Sequence, residues 1–264
     1  MKLAFIGGGV MGEAIISRVL SNGLAKPQDL TACDISLERR DHLTATYGIK
    51  AFDTPAPAIK GADIALLAVK PQEFAAAARA ITVRPEQTVM SIMAGVTVAS
   101  IRAALKHDAI VRAIPNTPAQ IGEGMTVWTA TDAVSKTARE QVEAILTVLG
   151  RELYVDDEKY VDMATAVSSS GPAYIFLVME ALIDGAVHIG VRRDMAQRMI
   201  IQTVLGSARY AEATGKHLAD LRNEVTSPGG TTTEGLRALE KAGMRLAFIE
   251  AVQAAYEKAQ RLGG

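Results

Sequence analysis

A glycine-rich turn between a short apolar strand and a helix constrains this fold more than any other sequence feature. Leu3–Ile6 is a run of four apolar residues, and the next six residues have the spacing G-x-G-x-x-G: Gly7, Gly8, Gly9, Val10, Met11 and Gly12. The first glycine permits a tight turn, the second lets a ligand approach the backbone, and the third lets the helix pack closely on the strand. Because helix N-termini bind anions, this pattern predicts a dinucleotide whose pyrophosphate rests on the helix.

Short apolar runs continue to alternate with helical patterns through the first half of the chain. Strands are predicted at residues 30–33, 64–69, 89–93 and 110–113, with edge strands at 124–129 and 153–155. Runs that are apolar on both faces suit a parallel sheet covered by helices on each side. The fold class predicted is α/β, with an N-terminal doubly wound, Rossmann-type sheet.

The hydrophobic period changes near residue 158, after which only helical spacing is present. This change predicts a dinucleotide-binding domain over residues 1–158 and an all-α domain over residues 159–264. About 100 residues is small for a domain that is stable alone, and its apolar stripes exceed what one thin bundle covers. We therefore expect the helical domain to pack against a partner subunit.

Two alternatives for the coenzyme follow from residues near the second predicted strand. Asp34 lies 22 residues after Gly12, where an acidic side chain accepts hydrogen bonds from a ribose hydroxyl and favours NAD. Ser36, Arg39 and Arg40 follow within one turn and could meet the 2′-phosphate of NADP. The sequence leaves the choice between NADP and NAD open.

Composition and charge exclude several function classes. The chain of 264 residues has 28 Lys and Arg against 29 Asp and Glu, so its net charge of −1 gives no basic surface for nucleic acid. Its one cysteine, Cys33, cannot close an intrachain disulfide and suits a reducing compartment. The four histidines lack ligand spacing with Cys or acidic residues, which predicts no metal site.

One uncharged stretch, residues 163–179, is long enough to consider as a membrane span. Ser168, Ser169, Ser170, Gly171 and Pro172 lie in its middle and predict a polar break in the helix. No cleavage pattern for secretion follows the apolar start of the chain. We therefore expect a cytoplasmic protein that does not bind membranes.

A second anion site is predicted near the C-terminus. Pro228, Gly229 and Gly230 form a turn, and Thr231 to Glu234 has the Thr-x-x-Glu spacing of a capping box that starts a helix. Backbone N–H groups around Gly230 to Thr232 and the Ser227 hydroxyl would bind a substrate carboxylate. The charge of Glu234 would oppose that carboxylate unless its side chain folds back onto the cap.

Five segments, in this order and at these distances, resemble pyrroline-5-carboxylate reductases over essentially the whole chain. Besides the glycine turn they are Ala68-Val69-Lys70-Pro71-Gln72, Pro115-Asn116-Thr117-Pro118, Ser170-Gly171-Pro172-Ala173-Tyr174 and the run from Val225 to Thr232. The resemblance implies that NADPH or NADH reduces 1-pyrroline-5-carboxylate to L-proline, the last step of proline biosynthesis. It also implies a helical dimerisation domain and homodimers assembled into larger oligomers.

The resemblance also implies the roles of individual residues. The cofactor would be lined by the glycine turn with Asp34, Ala68, Val69, Lys70, Pro71, Ala94 and Gly95, and Asn116 would lie near the nicotinamide. Ser227, Gly230, Thr231 and Thr232 would hold the substrate. Departures from the family pattern at Pro55, Ser169 and Leu218 concern the adenosine side and coenzyme preference more than the reaction.

Reduction of an imine requires positioning of the ring and a hydrogen bond to its nitrogen more than a dedicated acid or base. Thr232 is the candidate for that hydrogen bond, because a hydroxyl both donates and accepts. One alternative is another dehydrogenase with this architecture, such as a β-hydroxyacid dehydrogenase or a general imine reductase. Those enzymes place a proton donor in the helical domain, where this chain offers Asp184 and Lys216 without a supporting motif. A second alternative is a dinucleotide-binding redox sensor without turnover. Such a protein would need no second anion-binding loop.

Overall fold

An eight-stranded sheet forms the core of the first part of the chain. In the computed structural model, which describes residues 1–263, the strands run in the order β3-β2-β1-β4-β5-β6-β7-β8. They are β1 Leu3–Ile6, β2 Leu30–Cys33, β3 Lys50–Phe52, β4 Ile64–Leu67, β5 Thr88–Ser91, β6 Ile110–Ile114, β7 Gly124–Ala130 and β8 Gly150–Tyr154. Only the β6–β7 pair is antiparallel. The order of the first six strands confirms the predicted Rossmann-type sheet.

The central strands are buried on both faces, which explains their continuous apolar sequences. Leu3 and Phe5 of β1 belong to one apolar cluster, whereas Ala4 and Ile6 belong to a second cluster on the other face of the sheet. Helices cover both faces, as the crossovers between parallel strands require. They are α1 Val10–Ser21, α2 Leu37–Tyr47, α3 Pro55–Ile59, α4 Phe74–Ala78, α5 Val98–Leu105 and α6 Lys136–Thr147.

The predicted break at Ser168 to Pro172 is confirmed in part: the regular α-helix is interrupted there, but one helix continues from Lys159 to His188 across the interruption. Helix α7 (Lys159–Ala164) passes through a π turn (Thr165–Ser169) into helix α8 (Gly171–His188). In the π turn the Ser170 amide donates to the Thr165 carbonyl at 2.9 Å. By length and composition alone this helix could cross a membrane, and few of its side chains are buried.

Contacts within the chain divide it into two compact units. One unit is Met1–Pro172 with the residues from Ala254 onward, and the other is Ala173–Gln253. The last strand ends at Tyr154, and the domain boundary between residues 158 and 159 stays a prediction. The remaining helices are α9 Arg193–Thr214, α10 Leu218–Glu224, α11 Thr231–Lys241 and α12 Met244–Gly263.

The helices of the second unit bury very little. Helices α8, α10 and α11 contain no buried residue, and α9 buries only Ala196. Large apolar side chains are exposed instead, among them Phe176 at 58%, Leu177 at 64% and Ile249 at 66%. A surface of this kind is characteristic of a protein–protein interface.

Candidate functional site

The predicted cofactor residues meet at one edge of the sheet. Strands β2, β1, β4, β5 and β6 are adjacent and parallel, so their carboxyl ends share that edge. Each is followed within three residues by a predicted site residue: Asp34, Gly7, Ala68, Ala94 and Asn116, in the order of the strands. Ligands of doubly wound sheets bind at this edge. The structure therefore brings together residues that are far apart in the chain.

The packing of the glycine turn explains its spacing. Gly7 has a φ of +103°, and a Cβ there would lie 2.6 Å from the Ala68 carbonyl oxygen. A Cβ on Gly12 would lie 2.6 Å from the Gly7 oxygen, so the helix packs too closely for any other residue. Gly9 has no atom within 4 Å of its Cβ position, and it begins α1 without a side-chain cap. Open space over unpaired amides of a helix N-terminus fits a pyrophosphate.

Two side chains hold the Gly8 peptide groups from both ends. The Gly8 amide donates to Oδ2 of Asp34 at 2.8 Å, and Nε of Arg39 donates to the Gly8 carbonyl at 2.9 Å. The other carboxylate oxygen of Asp34 accepts from the Ser36 amide at 2.9 Å. The turn is therefore rigidly held by residues of β2 and α2. Sequence reasoning missed this role of Arg39, which no local pattern signals.

Glu13 fastens helix α1 to helix α2 beside the turn. Its carboxylate accepts hydrogen bonds from Arg39, His42 and Tyr47, at 2.5, 2.6 and 3.0 Å. Burial alone would raise the pKa of Glu13, but these hydrogen bonds outweigh it and hold the pKa below its ordinary value of 4.5. The Glu13 carboxylate is thus stabilised in its charged form.

The residues on which the choice of coenzyme depends follow β2: Asp34 and Ser36 lie in the loop after it, and Arg39 and Arg40 lie in the first turn of α2. Arg40 donates through Nη1 to the carbonyls of Asp34 and Ile35, at 2.8 and 3.0 Å. Arg39 is paired with Glu13, and the Ser36 hydroxyl accepts from the Arg39 amide. Among the described residues, Arg40 has no carboxylate partner. Its charge is therefore available at the place where a 2′-phosphate would lie.

Asn116 lies at the other end of the cofactor edge and is nearly buried, with 9% of its surface exposed. Its Nδ2 donates to the Ser168 carbonyl at 3.0 Å, and its Oδ1 accepts from the Met125 amide at 2.9 Å. Lys70 is exposed at the start of the short turn Pro71–Glu73, consistent with a residue that shapes the cofactor loop. Among residues 1–263, no group of three or more His, Cys, Asp or Glu side chains could hold a metal ion.

The predicted capping box at Thr231 to Glu234 is wrong, because Gly230 is the N-cap of α11 and the helix begins at Thr231. Glu234 pairs with Arg237 at 2.8 Å instead of folding back onto the cap. That ion pair offsets the charge that would have opposed a bound carboxylate. Thr231 therefore occupies the first helical position rather than the cap.

The loop before α11 presents unpaired donors to solvent. The amides of Thr231 and Thr232 fall in the first helical turn, where no intrahelical carbonyl is available to them. The side chains of Ser227, Thr231 and Thr232 are exposed. Thr233, which sequence reasoning missed, holds the loop by donating from Oγ1 to the Ser227 carbonyl at 3.0 Å. The loop has the donors that a carboxylate requires.

Two sequence-family models match the chain. The model described as "Pyrroline-5-carboxylate reductase dimerisation" matches residues 158–262, and the one described as "NADP oxidoreductase coenzyme F420-dependent" matches residues 2–95. A pyrroline-5-carboxylate reductase of Synechocystis is 40% identical over 264 residues, covering 100% of this chain and 98% of the relative. The one from Escherichia coli K12 is 38% identical, covering 99% of this chain and 98% of the relative.

Two solved structures similar to this chain over its whole length are also reductases of this kind. A pyrroline-5-carboxylate reductase from Coxiella burnetii superposes with a TM-score of 0.88 at 34% identity, covering 100% of this chain and 98% of the other. The Plasmodium falciparum pyrroline carboxylate reductase, solved with NADP bound, has a TM-score of 0.92 at 28% identity with the same coverage. A reductive aminase from Aspergillus terreus, at a TM-score of 0.62 and 19% identity, shares the fold alone; it covers 98% of this chain and 87% of its own.

Proposed function

The chain belongs to the pyrroline-5-carboxylate reductase family, and we propose that it reduces 1-pyrroline-5-carboxylate to L-proline with NADPH or NADH, the last step of proline biosynthesis. The observation that carries this proposal is end-to-end similarity to these reductases at up to 40% identity. The glycine turn and the open loop before α11 supply two anion sites, one for the dinucleotide and one for the substrate carboxylate.

The residues at the cofactor edge hold the dinucleotide in this proposal. The amides at the start of α1 receive the pyrophosphate, Gly7 and Gly12 allow the close packing, and Asp34 and Arg39 keep the turn in shape. The segments from Ala68 to Pro71 and at Ala94 and Gly95 continue the site toward β6. The bound reduced nicotinamide supplies the hydride.

The substrate is an imine that is electrophilic once its ring nitrogen is protonated. The amides of Thr231 and Thr232 with the Ser227 hydroxyl bind its carboxylate, and the Gly230 N-cap leaves those amides free. The Thr232 hydroxyl accepts a hydrogen bond from the protonated ring nitrogen and holds the ring in place. Hydride addition to the imine carbon then yields the secondary amine of proline, without a further proton donor.

We propose that the chain works as a homodimer, assembled further into a larger oligomer of dimers, in the cytoplasm. The exposed apolar side chains of α8, α9 and α12 support a subunit interface. The same interface accounts for the apolar helix from Lys159 to His188 without a membrane. A net charge of −1 and the absence of a basic patch in the sequence argue against a nucleic-acid partner.

A substrate panel separates this function from its alternatives. Oxidation of NADPH and of NADH is followed at about 340 nm with pyrroline-5-carboxylate, with a 3-keto acid, and without substrate. We expect turnover with pyrroline-5-carboxylate only. Turnover with the keto acid alone would identify a hydroxyacid dehydrogenase, and coenzyme binding without any turnover would identify a sensor.

A further inference from the structure

The π turn Thr165–Ser169 has a specific cause in the sequence. In a regular α-helix the Ser168 carbonyl accepts from the amide of residue 172, but residue 172 is proline and has no N–H. The helix here closes with the wider spacing instead, since the Ser170 amide and hydroxyl both donate to the Thr165 carbonyl at 2.9 Å. Pro172 therefore removes the backbone donor that the Ser168 carbonyl would have in a regular α-helix.

Asn116 supplies the missing donor from a distant part of the chain. Its Nδ2 lies 3.0 Å from the Ser168 carbonyl oxygen, and the Met125 amide fixes the other end of the same side chain. A buried amide with both ends engaged is fixed in orientation, and a buried carbonyl that loses a donor is destabilised by the desolvation that is no longer compensated. The two residues are thus complementary, since Pro172 removes a donor to the Ser168 carbonyl and Asn116 replaces it.

This contact lies on the nicotinamide side of the cofactor edge. The sheet order places β2 on one side of the glycine turn and β4, β5 and β6 on the other. The ribose that Asp34 would contact belongs to the β2 side, so the nicotinamide half extends toward β6, which Asn116 follows by two residues. Asn116 therefore holds the π turn at the end of the sheet edge toward which the nicotinamide extends.

The same strand also fixes the beginning of the helix. Arg112 of β6 is buried and pairs with Glu158 at 2.6 Å and with Asp162 at 2.5 Å. Glu158 also accepts from the Val98 amide at 2.8 Å. Arg112 therefore attaches the start of α7 to β6, and Asn116, two residues after β6, attaches the π turn that follows α7, so this turn has little freedom to shift.

We propose that Asn116 is a positioning residue, which acts on hydride transfer by holding the π turn as a wall of the nicotinamide site. Pro172 is its necessary counterpart, because it prevents the turn from relaxing into an α-helix. This inference rests on the proposed function. It gives the buried side chain of Asn116 a role through Ser168 rather than through a direct contact with the cofactor.

A double-mutant cycle distinguishes positioning from simple stabilisation. N116A removes the side-chain partners of the Ser168 carbonyl and of the Met125 amide, and adding P172A returns a backbone N–H to the Ser168 carbonyl alone. We expect N116A to lower both the urea midpoint of unfolding and kcat. N116A/P172A should recover the part of the midpoint that belongs to the Ser168 carbonyl, but keep a kcat that is lower by about fivefold or more. The dissociation constant of NADPH, measured by fluorescence, stays within about threefold of wild type. Q120A, in the turn that Asn116 begins, is the matched control.

The double mutant tests the proposal even if N116A alone is too unstable to assay, because in N116A/P172A the amide of residue 172 can donate to the Ser168 carbonyl. Recovery of kcat together with the midpoint would show a merely structural role and overturn the proposal, as would a fall in kcat of less than about fivefold. Wild-type turnover of pyrroline-5-carboxylate is measured first. If the wild type shows no turnover, the proposed function fails, and the positioning proposal, which rests on it, is rejected as well. A loss of turnover that is confined to the variants leaves the proposed function in place.

Discussion

The proposed chemistry depends most on the hydroxyl of Thr232. We expect T232A to lower kcat/KM for pyrroline-5-carboxylate, because the ring nitrogen loses its hydrogen-bond partner. The decrease should correspond to a loss of about 1 to 3 kcal/mol of transition-state stabilisation. The NADPH dissociation constant should not change. T137A removes an exposed threonine from α6 and is the control. A wild-type kcat/KM in T232A would remove this residue from the mechanism.

Coenzyme preference is also decided by single residues. The Asp34 carboxylate faces the Gly8 and Ser36 amides, whereas Arg40 keeps an uncompensated charge at the end of β2. We therefore expect NADPH to be preferred, and R40A to lower kcat/KM for NADPH by about tenfold with little change for NADH.

Steady-state kinetics with both coenzymes checks the role of Arg40. R79A removes an exposed arginine elsewhere in the same unit and should leave both values unchanged. An equal decrease of kcat/KM for NADPH and NADH in R40A would show that Arg40 supports the loop without binding the 2′-phosphate.

At the scale of elements, the Glu13 cluster joins α1 to α2, and its contribution depends on pH. Because the pKa of Glu13 is lower in the folded protein than its ordinary value, folding is favoured above that value and the contribution is lost as pH falls through the folded pKa. We expect wild type to be more stable than E13Q near pH 7, with the difference shrinking below about pH 4.5.

Urea unfolding of wild type and E13Q at a series of pH values measures this difference. E143Q, in helix α6 of the same unit, is the control, and its difference from wild type should stay flat with pH. A gap between wild type and E13Q that persists unchanged to low pH would show that the carboxylate is not favoured by folding.

Elements whose signal is local were predicted well, and those set by distant partners were not. Strand β2 was predicted at its observed bounds, residues 30–33, because its short run of mostly apolar residues ends at the charged Asp34. Strand β3 was missed because it has three residues and begins with Lys50. The break predicted near Pro172 is a π turn within a continuing helix, and the contact of Asn116 with Ser168, which comes from more than fifty residues earlier, could not be read from the local sequence.

The candidate site divides in the same way. The glycine spacing and the loop before α11 are contiguous motifs, and the sequence located both. The hydrogen bonds that hold Gly8, Ser168 and the Ser227 loop join residues from separate segments or use a third threonine that no motif singles out. Such contacts follow from packing in three dimensions, which periodicity does not describe.

At the scale of the whole molecule, the second unit needs a partner to cover its apolar side chains. Leu177 on α8 is 64% exposed, so L177D should place a charge in the proposed interface. We expect light scattering at micromolar concentration to show a dimer or larger species for wild type and a smaller species for L177D. I121D changes a residue that is 73% exposed in the first unit and serves as the control. A monomeric wild type would contradict the proposed interface.

Hydride transfer to the imine carbon defines the proposed reaction, and isotope transfer measures it. Purified enzyme is given pyrroline-5-carboxylate and NADPH deuterated at the transferable position, and the product is examined by mass spectrometry and NMR. We expect L-proline that carries one deuterium on ring carbon 5, formed in step with coenzyme oxidation. Coenzyme oxidation without labelled proline would contradict the proposed reaction.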